Sequence, residues 1–505
     1  MCKRICVLLW VSAGLLCGAA KPKLVLTITI DQFRYDYLTR FRSEYHGGLD
    51  RLLTKGAVFT NARYEHFPTV TAVGHSTIMS GATPSVSGII SNEWYERGEQ
   101  RSVSSVFDDT TSLLGGKPGP GSSPARLLVS TVGDELKIAD DGKSKVIGIS
   151  LKDRSAILPA GHMANASYWF DNTTGNFVSS SYYFEDLPGW VKDFNASRPA
   201  DRYQGRQFGK KIMPDAGDKL YAAIVPTPFG NELLESFIER TMQAEQLGQH
   251  DTPDVLAVSF SSNDYVGHDL GPDSDEMHEI TVDTDRLLDK FFVFIDRSVG
   301  LQNVIVVLTA DHGVAPVPET NVQRKMPGGR ISVQYVQDKV QAGLTRKYGP
   351  GKWIVGNADL ALYLNLDLIA EKNLDRAEVN KAAEQICLTV PHVFRVYTRE
   401  ELLSGRVQGD SVDRRVLNSY YARRSPDIEI LLEPYWMSAE TGTTHGTTFG
   451  YDTHVPVIFM GPGVKAGRYH ASIAVNDIAT TLATMLDVEI PSGSVGRVLS
   501  EMMTE

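Results

Sequence analysis

Residues 24–31 read Leu-Val-Leu-Thr-Ile-Thr-Ile-Asp, a continuous run of apolar and β-branched side chains that stops at an aspartate. Such a run is typical of a buried strand in a parallel sheet, where both faces of the strand are covered. The same pattern recurs at residues 146–151, 255–260, 304–308 and 455–459. The sequence therefore predicts a sheet built around several buried parallel strands.

Helical patterns lie between these runs, at residues 48–55, 231–247, 280–299 and 475–486. Strands that alternate with helices predict an α/β fold, in which a mostly parallel central sheet carries helices on both faces. Residues 155–250, rich in aromatic and small polar residues, and residues 320–440, with charged helices and short strands, break this pattern. We expect both to be cap insertions on one domain that spans residues 21–505.

The overall composition excludes several classes of protein. The chain has 505 residues, of which 42% are hydrophobic and 22% are charged, so it is neither a disordered tail nor a fibre. Its formal net charge is −11, with a pI near 5.6. Because a general nucleic-acid binder needs a basic surface, we expect no nucleic-acid-binding surface here.

The first twenty residues have the layout of a secretion signal. Two basic residues precede an apolar run at residues 6–17, and three small residues follow at positions 18–20. The run is shorter than the roughly twenty residues of a membrane span, which favours a cleaved signal peptide over a retained anchor. We therefore expect residues 1–20 to be removed and the protein to be periplasmic or extracellular, without a stable membrane anchor.

Three of the four cysteines lie within this segment. Cleavage would remove Cys2, Cys6 and Cys17 and leave Cys387, so the mature chain could form no internal disulfide. A lipoprotein anchor at Cys17 is disfavoured because the bulky Leu16 stands where a small residue is expected.

Acidic and histidine side chains follow three of the predicted strands: Asp31, Asp264 with His268, and Asp311 with His312. The carboxyl ends of parallel strands meet at one sheet edge, where ligands bind. An Asp-x-x-x-His spacing places both side chains on one face of a helical turn, and carboxylate and imidazole are zinc ligands. Clustered carboxylates repel one another unless a cation neutralises them. The alternative is an ordinary acidic surface loop.

A second signal is the stretch Phe-Pro-Thr-Val-Thr-Ala-Val-Gly-His at residues 67–75. Two threonines, Thr69 and Thr71, precede small residues that can begin a helix. A helix N-terminus favours anions, and an activated hydroxyl placed there could act as a nucleophile on a phosphate ester. The simpler alternative is that Thr69 or Thr71 only caps the helix.

Together these motifs resemble the alkaline phosphatase superfamily, and in particular its secreted bacterial two-zinc members with a threonine nucleophile. The resemblance covers nearly the whole mature chain, from about residue 23 to residue 486. The motifs that carry it are residues 31–37, 68–75, 91–92, 151–154, 263–268, 311–313, 444–446 and 451–456.

The resemblance implies two Zn²⁺ ions per chain. One ion would be held by Asp264, His268 and His445, and the other by Asp31, Asp311 and His312 with the Thr71 hydroxyl. His454 is the alternative to His445, which is favoured because it stands in the Thr-His-Gly motif. Thr71 is favoured over Thr69 by its place in the Pro-Thr-x-Thr pattern. The other histidines, including His75, are interpreted as structural or surface residues.

The resemblance also implies an enzyme that hydrolyses phosphate monoesters through a phosphothreonine intermediate at Thr71. Asn92, Lys152 and Arg154 would bind the non-bridging oxygens. Lys152 and Arg154 are expected on alternate positions of an extended segment, which would aim both cations at one phosphate. Two cations suit the dianion of a monoester.

Other reactions of the superfamily remain open. The runner-up is a phosphodiesterase or nucleotide pyrophosphatase with the same two-zinc site, followed by phosphonate hydrolysis. A sulfatase is disfavoured because the Cys-x-Pro-x-Arg motif is missing from the sequence, and a binding protein without activity ranks last. We expect small phosphate esters as partners and a monomeric protein.

Overall fold

A computed structural model describes residues 21–407 and 409–504, so the expected signal peptide at residues 1–20 lies outside the described residues. Within them, the central sheet has eleven strands. In sheet order they are Gly467–Tyr469, Ala57–Phe59, Val457–Met460, Val304–Thr309, Leu24–Ile30, Asp254–Phe260, Val146–Ser150, Ala166–Asp171, Asn176–Ser180, Phe107–Leu114 and Pro120–Ser122.

The strand Leu24–Ile30 lies in the middle of a parallel block. It pairs in parallel with Asp254–Phe260 on one side and with Val304–Thr309 on the other. In this register Thr29 lies beside Ser259 and Thr309, so the carboxyl ends of the three strands reach the same level of the sheet. The chain segments that follow the three strands therefore begin side by side.

One predicted strand runs in the opposite direction to the expectation. The run at residues 455–459 forms the strand Val457–Met460, which pairs antiparallel with Val304–Thr309. The interpretation as a parallel strand is therefore wrong. A strand covered on both faces is apolar in either direction, so apolarity indicates burial and leaves the direction open. The α/β fold with a parallel central block is confirmed, and antiparallel strands extend the sheet on both sides.

Two groups of helices cover the sheet. One group consists of Gly48–Lys55, Pro228–Glu245, Ser262–Leu270 and Asp275–Ser298. The other consists of Thr71–Ser80, Val132–Ala139, Asp153–Ala160 and Asp477–Leu486. Both groups contact the strand Val146–Ser150, through Pro228–Glu245 and Asp153–Ala160 respectively, as expected for a sheet with helices on both faces.

The two expected cap insertions differ in structure. Residues 155–250 contribute the strands Ala166–Asp171 and Asn176–Ser180 to the central sheet, and their aromatic side chains pack in its core: the rings of Phe177 and Phe237 stack with centroids 3.9 Å apart. Residues 320–440 contain a separate small sheet, with strands Ile354–Ala358, Ala361–Leu364, Ile428–Leu432 and Val393–Thr398. The helices Val333–Tyr348 and Arg376–Cys387 share its apolar core. Among the described residues, no helix is long and apolar enough to cross a bilayer.

Candidate active site

The side chains that follow the three central strands meet at one edge of the sheet. Asp31 comes directly after Leu24–Ile30, and Asp311 and His312 follow Val304–Thr309. After Asp254–Phe260 the chain enters the helix Ser262–Leu270, which carries Asp264 and His268 one turn apart, as the spacing predicted. We call Asp31, Asp311 and His312 group 1, and Asp264, His268 and His445 group 2. Within each group one ligand atom per residue lies within 4.8 Å of the others.

Group 1 converges on the nitrogen Nε2 of His312. This atom lies 3.3 Å from Asp311 Oδ2 and 3.5 Å from Asp31 Oδ1. The hydroxyl of Thr71 lies 3.4 Å from the same nitrogen. All four side chains are at most 1% exposed. The structure therefore brings Thr71 together with the three residues of group 1.

Group 2 includes His445 and leaves out His454. His445 Nε2 lies 3.2 Å from His268 Nε2 and 3.8 Å from Asp264 Oδ1, and His268 Nε2 lies 3.2 Å from the same carboxylate oxygen. His454 instead bonds through Nε2 to the Thr60 carbonyl and stacks on Tyr35 with ring centroids 4.4 Å apart. The geometry thus favours His445.

The three histidines of the two groups are oriented in the same way. In each, Nδ1 is within hydrogen-bond distance of a backbone carbonyl: Gly313 at 2.9 Å for His312, Thr443 at 2.9 Å for His268 and Thr69 at 2.8 Å for His445. When Nδ1 donates its proton to a carbonyl, Nε2 carries the free lone pair and can bind a metal. All three Nε2 atoms face the carboxylates of their groups.

One carboxylate oxygen of each aspartate in group 1 lacks the hydrogen-bond partner that burial requires. Asp31 Oδ1 and Asp311 Oδ2 are buried and accept no hydrogen bond from the described residues. Burial and the neighbouring Asp264 and Asp311 carboxylates raise the pKa of Asp31 well above its ordinary value. Buried carboxylates in such a cluster are stabilised by a bound cation. The donor set of oxygen and imidazole nitrogen fits a divalent metal such as zinc in each group.

Lys152 lies between the two groups. Its Nζ is 2.7 Å from Asp31 Oδ2 and 2.6 Å from Asp264 Oδ2, and its side chain is 4% exposed. The expectation of an extended segment over residues 152–154 is wrong, because a helix begins at Asp153 and Arg154 lies in its first turn. Asp153 is an acidic residue in the first turn, which suits a helix N-terminus. The prediction of an extended segment did not take this signal into account. The nitrogen Nε of Arg154 is buried and has no hydrogen-bond partner among the described residues.

Thr71 is the first residue of the helix Thr71–Ser80. It makes no capping bond with its side chain, and Thr69 donates its hydroxyl to the Thr447 carbonyl at 2.8 Å. Asn92 accepts a 2.8 Å hydrogen bond at Oδ1 from the backbone N–H of Ala72. Neither threonine therefore acts as a side-chain cap, and the amide nitrogen of Asn92 lies beside the start of the helix.

Two buried residues at the site were not predicted as functional. The backbone N–H of Gln32 donates to Asp311 Oδ1 at 3.1 Å, and its amide Nε2 donates to Asp264 Oδ1 at 2.7 Å. His75 Nδ1 lies 3.3 Å from Asp311 Oδ2, and the residue is fully buried, so of the two alternatives for this histidine the structure favours the structural one over the surface one. His75 stands four residues after Thr71, on the same helix face, which was the available signal. Gln32 lies in the motif of residues 31–37, but the sequence pattern gave it no role.

A cavity of about 780 Å³ opens onto this site. Its wall includes His268 and His445 of group 2 together with Asn92 and Arg154. The small sheet contributes residues 357–361 and 429–430 to the same lining. A small ester that contacts group 2 in this cavity would therefore also lie close to the small sheet.

Two adjoining groups of metal-ligand residues, with a hydroxyl at a helix start beside one of them, suit the hydrolysis of phosphate esters by an enzyme of α/β fold. The model of the type I phosphodiesterase / nucleotide pyrophosphatase family matches residues 25–454, and the chain belongs to this family. It is therefore an enzyme that hydrolyses phosphate esters, as the sequence predicted.

Individual relatives span nearly the full chain. The alkaline phosphatase PhoV of Synechococcus elongatus is 35% identical over 96% of this chain and 93% of its own. A protein of Myroides odoratus named calcium-transporting ATPase is also 35% identical, over 96% of this chain and 95% of its own. The crystal structure of alkaline phosphatase PafA, known from Elizabethkingia meningoseptica, superposes with a TM-score of 0.90 at 34% identity, covering 96% of this chain and all of that chain. The predicted resemblance to alkaline phosphatases is confirmed.

Proposed function

We propose that this protein is a phosphomonoesterase that uses Thr71 as its nucleophile and binds Zn²⁺ at group 1 and at group 2. The observation that carries the proposal is the position of the Thr71 hydroxyl, 3.4 Å from His312 Nε2 and thus beside the ligand atoms of group 1. Two relatives with similar full-length sequences are named alkaline phosphatases, which supports the same activity.

Asp31, Asp311 and His312 would hold one zinc, and Asp264, His268 and His445 the other. When bound, two such ions supply positive charge that lowers the pKa of a hydroxyl or water and stabilises developing negative charge on oxygen. The chain prepares both groups in advance, because the backbone carbonyls on Nδ1 fix the orientation of all three imidazoles.

The reaction proceeds in two displacements at phosphorus. Thr71 Oγ1 forms a bond to phosphorus as its proton passes to water, the bond from phosphorus to the alcohol oxygen breaks, and the alcohol oxygen takes up a proton from water. A water molecule then attacks the phosphothreonine, the bond from phosphorus to Oγ1 breaks, the proton lost by that water replaces the one that Oγ1 gave up, and inorganic phosphate leaves. Asn92 is suited to donate its amide to a non-bridging oxygen, since its Oδ1 is already engaged by the Ala72 N–H.

The cations near Thr71 favour a monoester over a diester. Lys152 bridges Asp31 and Asp264 of the two groups, and Arg154 lines the cavity with an Nε that has no partner within the described protein; we assign both to the non-bridging oxygens. A monoester dianion offers three free oxygens to these donors and a diester offers two. The family match to phosphodiesterases and nucleotide pyrophosphatases makes the diesterase the second candidate.

One comparison tests both candidates. Purified protein is assayed with an aryl phosphate monoester and with the matching methyl aryl diester, before and after removal of metal by a chelator. We expect the larger kcat/KM for the monoester, loss of both activities on chelation, and recovery when zinc is restored. A larger kcat/KM for the diester would establish the second candidate, and full activity without metal would refute the zinc assignment.

We also propose that the protein is exported and that residues 1–20 are removed. The basic start, the short apolar run and the small residues at positions 18–20 support this proposal. Sequencing of the N-terminus of protein recovered outside the cytoplasm should begin at Lys21. A mature chain that still begins at Met1 would refute the cleavage.

A further inference from the structure

Beyond the histidines of group 2, the cavity lining contains many polar side chains. Some come from a strand pair near residues 93–104 and others from the small sheet. These polar residues are Glu93, Ser102, Ser104, Asn357, Asp359 and Glu429, and Ser438 lies in the same lining.

Two carboxylates of the small sheet stand out in this lining. Glu429 lies in the strand Ile428–Leu432, is half-buried, and makes no ion pair among the described residues. Burial raises its pKa to about 8, with no cation close enough to offset the loss of water. Asp359 lies in the turn between two strands, at a φ of +49°, and its side chain is exposed to the cavity.

The cavity lining carries little positive charge. Arg154 is the one lysine or arginine in the lining formed by the described residues, and its guanidinium faces Asp153 at 3.8 Å. Phe67 is the one aromatic ring of Phe, Tyr or Trp in the same lining. Nucleobase recognition commonly uses aromatic stacking, and a second phosphate would need further cations. This lining offers a single ring, and its single cation is assigned above to the reacting phosphate.

We propose that Glu429 and Asp359 form the wall that receives the leaving alcohol and that they select phosphate monoesters of polyols. The proposal rests on the phosphomonoesterase function proposed above. Hydroxyl groups of a polyol donate hydrogen bonds to carboxylates, whereas an alcohol that carries its own carboxylate or phosphate is repelled. The wall thereby discriminates between esters that share the same reacting phosphate.

Glycerol 3-phosphate and 3-phosphoglycerate are a matched pair for the test. They have the same carbon skeleton, and a carboxylate in one replaces a hydroxymethyl group in the other. At pH 9, where Glu429 is ionised, we expect kcat/KM for glycerol 3-phosphate to be greater by about tenfold, the effect of one close like-charge interaction. At pH 7, where the Glu429 carboxyl is mostly protonated, the ratio should be smaller.

Other groups near Glu429 bear on this pH dependence. The remaining titratable groups of the lining are Glu93, Asp153, Arg154, His268, Asp359 and His445. Burial, and to a smaller extent Glu429, raises the pKa of Tyr363 and of Tyr420 above its ordinary value. Neither tyrosine ionises between pH 7 and pH 9. The comparison of variants isolates the contribution of Glu429 from those of the other groups.

The quantity compared is the ratio of kcat/KM for glycerol 3-phosphate to kcat/KM for 3-phosphoglycerate. Glu429→Gln should abolish the increase of this ratio between pH 7 and pH 9. Asp359→Asn should lower the ratio at both pH values. The control is Glu433→Gln, which removes a charge just beyond the same strand, where Glu433 pairs with His392 outside the cavity. The control should keep the wild-type ratio at both pH values.

The outcomes separate this proposal from the one on which it rests. Equal kcat/KM for the two substrates in the wild type, with both hydrolysed, would overturn the polyol proposal and leave the phosphomonoesterase function intact. The same ratio in wild type and in the Glu429 and Asp359 variants would also overturn it. Failure to hydrolyse any monoester, the aryl phosphate included, would instead overturn the phosphomonoesterase function.

Discussion

Lys152 Nζ lies 2.6 Å from Asp264 Oδ2, and 2.7 Å from Asp31 Oδ2 on the other side, so a single ammonium joins group 1 to group 2. Burial alone would lower the pKa of Lys152, but the two carboxylates raise it above its ordinary value. In return, Lys152 and His268 hold the pKa of Asp264 well below its usual range despite burial. The two carboxylates therefore favour the charged form of this lysine.

Substitution of this lysine should impair monoester hydrolysis more than diester hydrolysis. Lys152→Ala and Arg154→Ala each remove a cation that, in the proposed function, binds the third free oxygen of a monoester. A diester lacks that oxygen and so depends less on the cation. We expect kcat/KM for the aryl monoester to fall by about a hundredfold, in line with the loss of one charged donor at a reacting phosphate. The kcat/KM for the aryl diester should fall by a clearly smaller factor.

Lys145→Ala is the control for this comparison. Lys145 pairs with Glu245 at 2.8 Å at the amino end of the strand Val146–Ser150, the end opposite to Lys152, and does not line the cavity. Its removal should leave both kcat/KM values unchanged. Equal losses on monoester and diester in Lys152→Ala and Arg154→Ala would contradict the idea that these cations select the monoester.

Thr71→Ala should abolish the covalent intermediate. Without Oγ1 no bond from phosphorus to the protein can form, so turnover should fall by at least about a thousandfold, as when other catalytic nucleophiles are removed. Thr71→Ser keeps a hydroxyl and should retain measurable activity. Rapid acid quench with a ³²P-labelled monoester measures the phosphoprotein, and the label should be present in wild type and Thr71→Ser. If Thr71→Ala still incorporated the label and turned over the substrate at the normal rate, the nucleophile would be another residue.

Much of the fold follows from the sequence because burial dictates composition. The strand Leu24–Ile30 and the helix Gly48–Lys55 were predicted with the bounds that the structure has. The direction of Val457–Met460 could not be predicted, since a strand between helix layers is apolar whichever way it runs. The strands Ala166–Asp171 and Asn176–Ser180 were predicted as part of a cap because their segment is rich in aromatic and small polar residues, unlike the central apolar runs.

The ligand groups were predictable for a different reason. Strand ends converge in a parallel sheet, so Asp31, Asp264 and Asp311 could be placed together from topology alone. The contacts of Gln32 could not be predicted, because they depend on a backbone φ of +63° that turns its side chain back toward Asp264. A positive φ is uncommon for a residue other than glycine, and no local sequence pattern predicts it at this position.

Gln32 should strengthen metal binding at both groups. Its backbone and side chain orient one carboxylate of each group, and a Cβ on Gly267 would lie 1.8 Å from Gln32 Oε1, so the neighbouring helix leaves room for this side chain. Removal of such a supporting hydrogen bond typically weakens metal affinity by about 10- to 100-fold. Gln32→Leu should show this loss in a zinc competition titration with a chromophoric chelator.

Gln100→Leu is the matched control, because Gln100 also has a positive φ, of +52°, but is exposed on the surface. Its zinc affinity should equal that of the wild type. If Gln32→Leu binds zinc as tightly as Gln100→Leu, then Gln32 does not support the ligand groups, and its two hydrogen bonds serve the fold alone.

Asp285 should be a major determinant of stability outside the site. It is 1% exposed, and its carboxylate accepts hydrogen bonds from the backbone N–H groups of His46, Gly47, Leu49 and Asp50, at 2.7 to 3.2 Å. These donors lie at the start of the helix Gly48–Lys55, where no other side chain caps them. The helix Asp275–Ser298 thereby fixes Gly48–Lys55 beneath the central sheet.

Asp285→Ala leaves buried N–H groups without partners, and we expect the free energy of unfolding in urea to fall by about 3 kcal/mol. Asp289→Ala, one turn further along the same helix, removes only a surface ion pair with Arg51 at 3.5 Å and should cost about 0.5 kcal/mol or less. Because neither residue touches the cavity, kcat/KM at 25 °C should be unchanged in both variants. If the free energy of unfolding falls no more in Asp285→Ala than in Asp289→Ala, then water must hydrogen-bond to the N–H groups at the helix start as well as Asp285 does.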